Sequence, residues 1–218
     1  MQDGLIHEHH GRRHVPRVSE RGRGTRDRVI EVALAMLEEG GEGSVRIDDV
    51  RDRSGVSIGS LYHHFGDRDG IIVAAQVRRF ARFAEAEIAA LSDIVASSPD
   101  LDGFRRALRS LTLHASSQLR VAERWARIAV LASSVGRPEL AAEVRAIQTR
   151  LTDEFQAHVA QGQARGFFRS DLDARAVALF VEAYSLGYVL NELDERTVSE
   201  ADWEKVVWSV LDALIAEG

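Results

Sequence analysis

The stretch Ser44–Phe65, SVRIDDVRDRSGVSIGSLYHHF, decides how the chain is built. Ser44 is a good helix N-cap, and Ile47 and Val50 are spaced i, i+3 for one buried stripe. Gly55 falls where a chain leaving a helix needs positive φ, which glycine adopts without steric cost. Val56 is placed to plug the turn from inside, and Ser57 is the next N-cap. Leu61 and Phe65, four apart, give the second helix its inward face. Ile58, Ser60, Tyr62, His63 and His64 are left pointing elsewhere. Two short helices pinned by a tight turn, the second apolar behind and hydrogen-bonding in front, form a helix-turn-helix pattern.

Working outward, Thr25–Glu39 is predicted as a helix with the stripe Ile30, Ala33, Leu34 and Leu37, stopped by Gly40-Gly41. It completes a three-helix unit. On the other side, Asp67 caps a long helix to about Leu91, with Ile71, Ala74, Val77, Ala81 and Ala84 along one apolar face. That helix follows the motif after one residue of turn and is the expected mechanical link to the remainder.

The run Gly55-Val56-Ser57-x-Gly59-x-Leu61-Tyr62-x-His64-Phe65 resembles the signature of the tetracycline-repressor (TetR) family of bacterial transcription regulators. Asp67-Arg68-Asp69-Gly70-Ile71 resembles its continuation into the fourth helix, with Arg68 where the family usually has lysine. Arg51 and Ser54 also depart, standing where the family usually places alanines. The close resemblance covers roughly residues 23–83, and beyond it only length and helical pattern agree. It implies an all-α protein: a helix-turn-helix DNA-binding domain over 23–83 (motif 46–65), then a helical bundle over 84–218 for ligand binding and dimerisation. It also implies that the motif enters a major groove, with Ile58, Ser60 and Tyr62 nearest the bases and Tyr62, His63 and the Arg68 region on phosphates. The candidate DNA contacts are Arg21, Arg23, Thr25, Arg26, Ser44, Arg46, Ser57, Ile58, Gly59, Ser60, Tyr62, His63, His64 and Arg68.

Composition narrows the remaining classes. The 218 residues are long enough for one sizeable core, or for a small domain attached to a larger one. There is no cysteine, so disulfides, thiolate catalysis and cysteine-ligated metals are excluded. The formal net charge of −6 argues against coating nucleic acid by bulk electrostatics. Locally the balance reverses: Arg12 to Arg28 holds seven arginines against Glu20 and Asp27. Residues 1–22 are therefore expected to be a flexible Arg/His-rich arm whose arginines neutralise phosphates or reach a minor groove. A solubilising leader is the blander reading. His7, His9, His10 and His14 have no rigid element to hold them as metal ligands. MQDGLIHEHHGRRH offers no apolar core of the signal-peptide kind, and no run approaches the roughly 18 apolar residues of a membrane span. Cytoplasmic placement at the nucleoid, and no membrane partner, are expected.

Beyond a Ser/Pro linker at Ser92–Asp100, helices are predicted over 101–119, 122–134, 138–164, 173–192 and 199–216, an all-α bundle. Apolar residues surround most of 173–192, and Trp208 and Ile215 widen the stripe of the last helix beyond a normal core face. A two-fold interface through these helices is expected at Val177, Phe180, Ala183, Gly187, Tyr188, Trp203, Val207, Trp208 and Leu211.

The three preceding helices carry apolar stripes that invite a ligand cavity: Phe104, Leu108, Leu111, Trp125, Ile128, Ala129, Ile147, Leu151 and Phe155. His114, His158 and Tyr184 are the polar groups available to orient a ligand, although each histidine reads more simply as a satisfied core residue. With no arginine or carboxylate evident in those stripes, a mostly apolar effector with one or two hydrogen-bonding groups is expected. No paired carboxylates, nucleophile–base spacing, metal cluster or phosphate loop points to an enzyme, and no metal or cofactor is expected. The sequence thus suggests a repressor that binds a palindromic double-stranded DNA operator as a homodimer and is released by an unknown small molecule. A helical protein-interaction module without an operator, or a ligand-blind repressor, are the competing readings.

Overall fold

The computed structural model describes residues 20–117 and 120–216. Among them, ten α-helices and one 3-10 turn follow in order: α1 (Glu20–Gly40), the 3-10 turn Glu42–Ser44, α2 (Ile47–Ser54), α3 (Ile58–Phe65), α4 (Arg68–Ser97), α5 (Leu101–Ser116), α6 (Val121–Ser134), α7 (Pro138–Ala164), α8 (Ala174–Gly187), α9 (Val189–Leu193) and α10 (Glu200–Asp212). The all-α expectation holds. The expected arm lies outside the described residues as far as 19, and Glu20–Gly22 already belongs to α1. Two compact units divide after Ile71, in the first turn of α4. The Ser/Pro stretch is therefore no linker. It stays helical to Ser97, and the Arg165 guanidinium donates to the end carbonyls of Val95 and Ser98.

In the first unit, α1 buries Val29, Ile30, Ala33, Leu34, Met36 and Leu37, and α2 packs on it. Ser44 is not the cap of α2. Its hydroxyl donates to the carbonyls of Met36 and Gly41, and so ties down the C-terminal end of α1. The N-cap of α2 is Arg46, extended and without a side-chain capping bond. The turn into α3 forms as its residues dictate. Gly55 sits at φ 68°, and its N–H donates to Arg51 O. Ser54, buried where the resembled family has alanine, accepts the Val56 N–H at 3.2 Å. Arg51, the other departure, stays at the surface against Asp48 and Asp52. Ser57 caps α3 by accepting from Ser60 N.

The turn from α3 to α4 is tighter still. Gly66 has φ 78°, and Asp67 accepts the Gly70 N–H at 2.8 Å. A Cβ on Gly70 would stand 1.9 Å from the Phe65 carbonyl oxygen.

In the second unit, α8 packs on α7 and α5, α5 also on α10, and α6 on α7 and α9. Its main core joins Leu91, Phe104, Leu151, Phe155 and Val177. Phe104 is stacked on Phe167 at 4.8 Å and meets Phe168 edge-on at 5.0 Å. A smaller core gathers Phe80, Val130, Leu140 and Val144. The chain end does not finish as helix. Beyond Asp212 it runs back along the α7–α8 connection, where Arg169 N donates to Leu214 O, Ala216 N donates to Phe167 O, and Phe168 bridges Ile215.

The expected helix over 173–192 is two helices that meet at Tyr188. By length and composition alone, Ala174–Leu193 would suffice to cross a membrane, with mean hydropathy 1.2, contrary to the sequence expectation. Only 28% of that window is buried, so it is not an enclosed core helix either.

Gly70→Ala is expected to destabilise the protein by at least about 1–3 kcal/mol, because the methyl group meets backbone that cannot step aside. Denaturant unfolding checks this. Stability within about 0.5 kcal/mol of the parent would mean that the α3–α4 turn has room to relax.

Candidate functional site

α3 carries no acid or base stronger than histidine, and its two sides differ sharply. Leu61 is buried and Phe65 half-buried, while Tyr62 is 50% exposed and Ile58 36% exposed. Ser57, Gly59 and His63 are exposed beside them, with Ser60 and His64 half-buried. A Cβ on Gly59 would meet no atom within 4 Å, so the missing side chain leaves that face flush for a close approach from outside. Hydroxyls, imidazoles and one isoleucine methyl surface are suited to base edges and to a thymine methyl.

The other residues predicted for this site divide. Arg46 is exposed at the uncapped start of α2, whose first N–H groups lack a side-chain acceptor. Arg26 is exposed and lies over the Phe65 ring at 5.6 Å, while Thr25 is half-buried. Ser44 faces inward to two carbonyls, which removes it as a contact in this conformation. The Arg68 guanidinium donates to Val45 O at 2.6 Å and to Glu42 O, so it positions the 3-10 turn against the start of α4. The side chains of Arg21 and Arg23 lie outside the described residues.

The second unit holds a cavity of about 260 Å³ between α4, α5, α6, α7 and α8. Of the predicted ligand residues, Leu111, His114, Phe155 and Tyr184 line it. Leu108 lines a small apolar annex of about 30 Å³ that shares Leu111, Phe155, Val181 and Tyr184 with the main cavity. The others lie elsewhere. Phe104 and Leu151 are core, Ile147 packs between the two cores, and Ile128 and His158 are half-buried away from the walls. Trp125, 38% exposed, and Ala129 face outward because α6 turns Arg124 and Arg127 inward instead. His114 is exposed and not a core histidine.

The expectation that no charge faces the cavity is overturned. Glu87, Arg120, Glu123 and Glu182 are in its walls. Arg120 pairs with Glu123, Arg127 with Glu87, and Arg124 with Glu192, the last under the Tyr188 ring. Glu182 accepts from Gln148 and, at 3.5 Å, from Thr152 through Oε2, while Oε1 is buried without a partner among the described residues. Burial pushes the carboxyls of Glu87 and Glu182 and the Tyr184 phenol above their ordinary values. Glu182 had a signal in the sequence, a single carboxylate inside the apolar run AVALFVEAYSLGYVL. Glu87 had none, since a glutamate on a long helix usually marks its solvated side.

The residues expected at a dimer interface also separate. Val177, Tyr188, Val207 and Leu211 are buried within this chain and Trp203, Trp208 and Gly187 are partly covered, whereas Phe180 and Ala183 are exposed. Apolar residues left open on these helices include Leu179, Phe180, Leu190 and Leu193 with Val206 and Val210 of α10.

A left-handed glycine between two helices, the second with its back buried and its front polar and open, defines a helix-turn-helix regulator of the DNA-binding class. Residues 29–75 match the family model "Bacterial regulatory proteins, tetR family". It is 34% identical over 64 residues to the repressor KstR of Mycobacterium tuberculosis, a match spanning only 29% of each chain. With the repressor KstR2 of Mycolicibacterium smegmatis it shares 26% identity over 160 residues, 72% of this chain and 73% of that one. A transcriptional regulator from Saccharomonospora viridis, solved in complex with choline, has the same fold: TM-score 0.64 at 23% identity, over 90% of this chain and 100% of that one. The named relatives are regulators, not enzymes.

Tyr62→Ala and His63→Ala are each expected to weaken binding to DNA from upstream of the gene by about tenfold or more, with stability within about 0.5 kcal/mol of the parent. Fluorescence anisotropy with labelled duplex reads the first and thermal melts the second. Parental affinity in both variants would remove α3 from the interface.

A second expectation comes from burial. A carboxyl raised in the folded state adds stability that is complete below its unfolded value, near 4.5, and is lost as pH rises through the folded value. Glu182→Gln, which keeps an acceptor for Gln148, should match the parent near pH 4 and be the more stable of the two at neutral pH. Urea unfolding across that range tests it; a pH-independent difference would mean that Glu182 does not titrate differently on folding.

Proposed function

We propose that the chain is a transcriptional repressor that binds a palindromic operator as a homodimer and lets go when a small molecule fills the cavity of its helical bundle. The open front of α3, where hydroxyls and imidazoles surround Ile58 and Tyr62 over a buried back, carries this reading, because a protein-docking face would be dominated by apolar anchors. The repressor role of KstR and KstR2 supports it, as does the choline bound by the Saccharomonospora viridis regulator. The protein acts in the cytoplasm, at the nucleoid. The N-terminal arginines add phosphate contacts, which makes binding steeply salt-dependent.

The effector is amphipathic, and less purely apolar than the sequence suggested. Leu111, Phe155 and Val181 form its apolar walls, and Glu87, Arg120, Glu123 and Glu182 supply polar ones. Binding shifts α4, which runs unbroken from Arg68 to Ser97, and so alters the spacing of two recognition helices. For that, the effector must prefer the arrangement that does not fit the operator; equal affinity for both would shift nothing.

The dimer uses the apolar face left open on α8 and α10, Leu179, Phe180, Ala183, Val206 and Val210, and sets the recognition helices about 34–36 Å apart, or a multiple of that. Phe180→Asp and Val206→Asp are expected to give folded monomers that lose operator binding with α3 untouched. Light scattering gives the mass, circular dichroism the fold, and a mobility shift on a palindrome near the gene, repeated at several salt concentrations, the binding. A parental protein that is a stable monomer at micromolar concentration, or that shifts no palindrome, overturns the proposal.

A further inference from the structure

The cavity of the bundle carries more information than its volume, and the ligand class that its walls select rests on its being the effector site. Those walls hold three carboxylates, Glu87, Glu123 and Glu182, against a single arginine, Arg120. Two of the three are answered within the protein. Glu87 is paired with Arg127, and Glu123 with Arg120, whose Nε donates at 2.7 Å. Glu182 is different. It is more than nine-tenths buried, and its hydrogen-bond partners, Gln148 and Thr152, are neutral and both on Oε2. Arg127 and Arg175 act on it electrostatically without an ion pair among the described residues, and its Oε1 is buried without a donor. Such an oxygen carries the full desolvation penalty of an unmade bond, and a donor brought by a ligand removes that penalty.

The surroundings narrow what the donor is. Leu111, Phe155 and Val181 make much of the cavity wall apolar, and the Tyr184 hydroxyl, 3.4 Å from Thr112 Oγ1, is already turned to α5. A carboxylate or phosphate ligand would meet the unpaired Glu182 and find Arg120 already taken by Glu123. An alcohol would supply the hydrogen bond without the charge. We infer that the cavity takes a small organic ammonium, primary or secondary, on an apolar or aromatic body, with its N–H donating to Glu182 Oε1.

Three probes of matched shape test this by calorimetric titration of the full chain at neutral pH: phenethylammonium, 2-phenylethanol and phenylacetate. The ammonium is expected to bind at least about tenfold tighter than the alcohol, the usual scale of a charged hydrogen bond, and the anion weakest. Glu182→Gln should remove the preference for the ammonium over the alcohol, whatever it does to the affinity of either. Because the probe comparison uses the unaltered protein, it stands even if the variant folds poorly. If the alcohol or the anion binds as tightly as the ammonium, the cation inference falls and the effector cavity survives. If no probe binds at millimolar concentration, both fall. An ammonium preference that persists in Glu182→Gln overturns the role of Glu182.

Discussion

A charged side chain inside an apolar bundle must be answered, and the helices of the second unit are arranged around those answers. α6 presents Arg124 and Arg127 inward, and each reaches a glutamate on another helix, Glu192 of α9 and Glu87 of α4. Gln148 of α7, a neutral amide, meets only one oxygen of Glu182 of α8. Replacing such pairs by apolar residues would often stabilise a protein, since desolvation can exceed the Coulombic gain. What the pairs contribute is register. Apolar stripes alone tolerate a helix rotated by one position, whereas a guanidinium buried without its carboxylate does not. The rotation of α6 that this fixes leaves Trp125 and Ala129 outside and gives the cavity a polar wall.

The first unit depends on a different constraint, backbone conformation. Gly55 and Gly66 both have positive φ, one at each end of α3, and Gly70 admits no Cβ. α3 is thereby held by local geometry at both ends, with Leu61 pinning its back. Arg68 adds a tie that a lysine would make less well, since a planar guanidinium donates to two carbonyls in one plane. The departure from the family's usual lysine is therefore structural in this conformation.

These two kinds of constraint explain what could be read in advance. Gly55, Ser57, Asp67 and the period of α7 act within a few residues of themselves, so the motif, its caps and the helix Pro138–Ala164 were legible from the chain. Ser44 carried the chemistry of a cap but found nearer carbonyls at the end of α1, a tertiary choice. Which side of α6 faces inward was misread because its arginines looked like a solvated face; only their partners on α4 and α9 reveal the reverse. The break of the last long apolar helix at Tyr188 was hidden too, since that ring is held by Trp203 of α10 at 5.0 Å, far along the sequence.

α8 brings these threads together, because its 14 residues serve three surroundings at once. Val177 and Ala178 enter the core, Val181, Glu182, Tyr184 and Ser185 line the cavity, and Leu179, Phe180 and Ala183 stand on the open apolar side. A helix cannot turn to satisfy one of these without moving the other two, since its side chains share one rigid backbone. A ligand that supplies the donor missing at Glu182 therefore acts on the same element that presents the open apolar face. Coupling between two sites requires an element that both of them bias, not a chain of distant contacts. In this fold a single helix meets that requirement, with its buried carboxylate on one side and its uncovered apolar residues on the other.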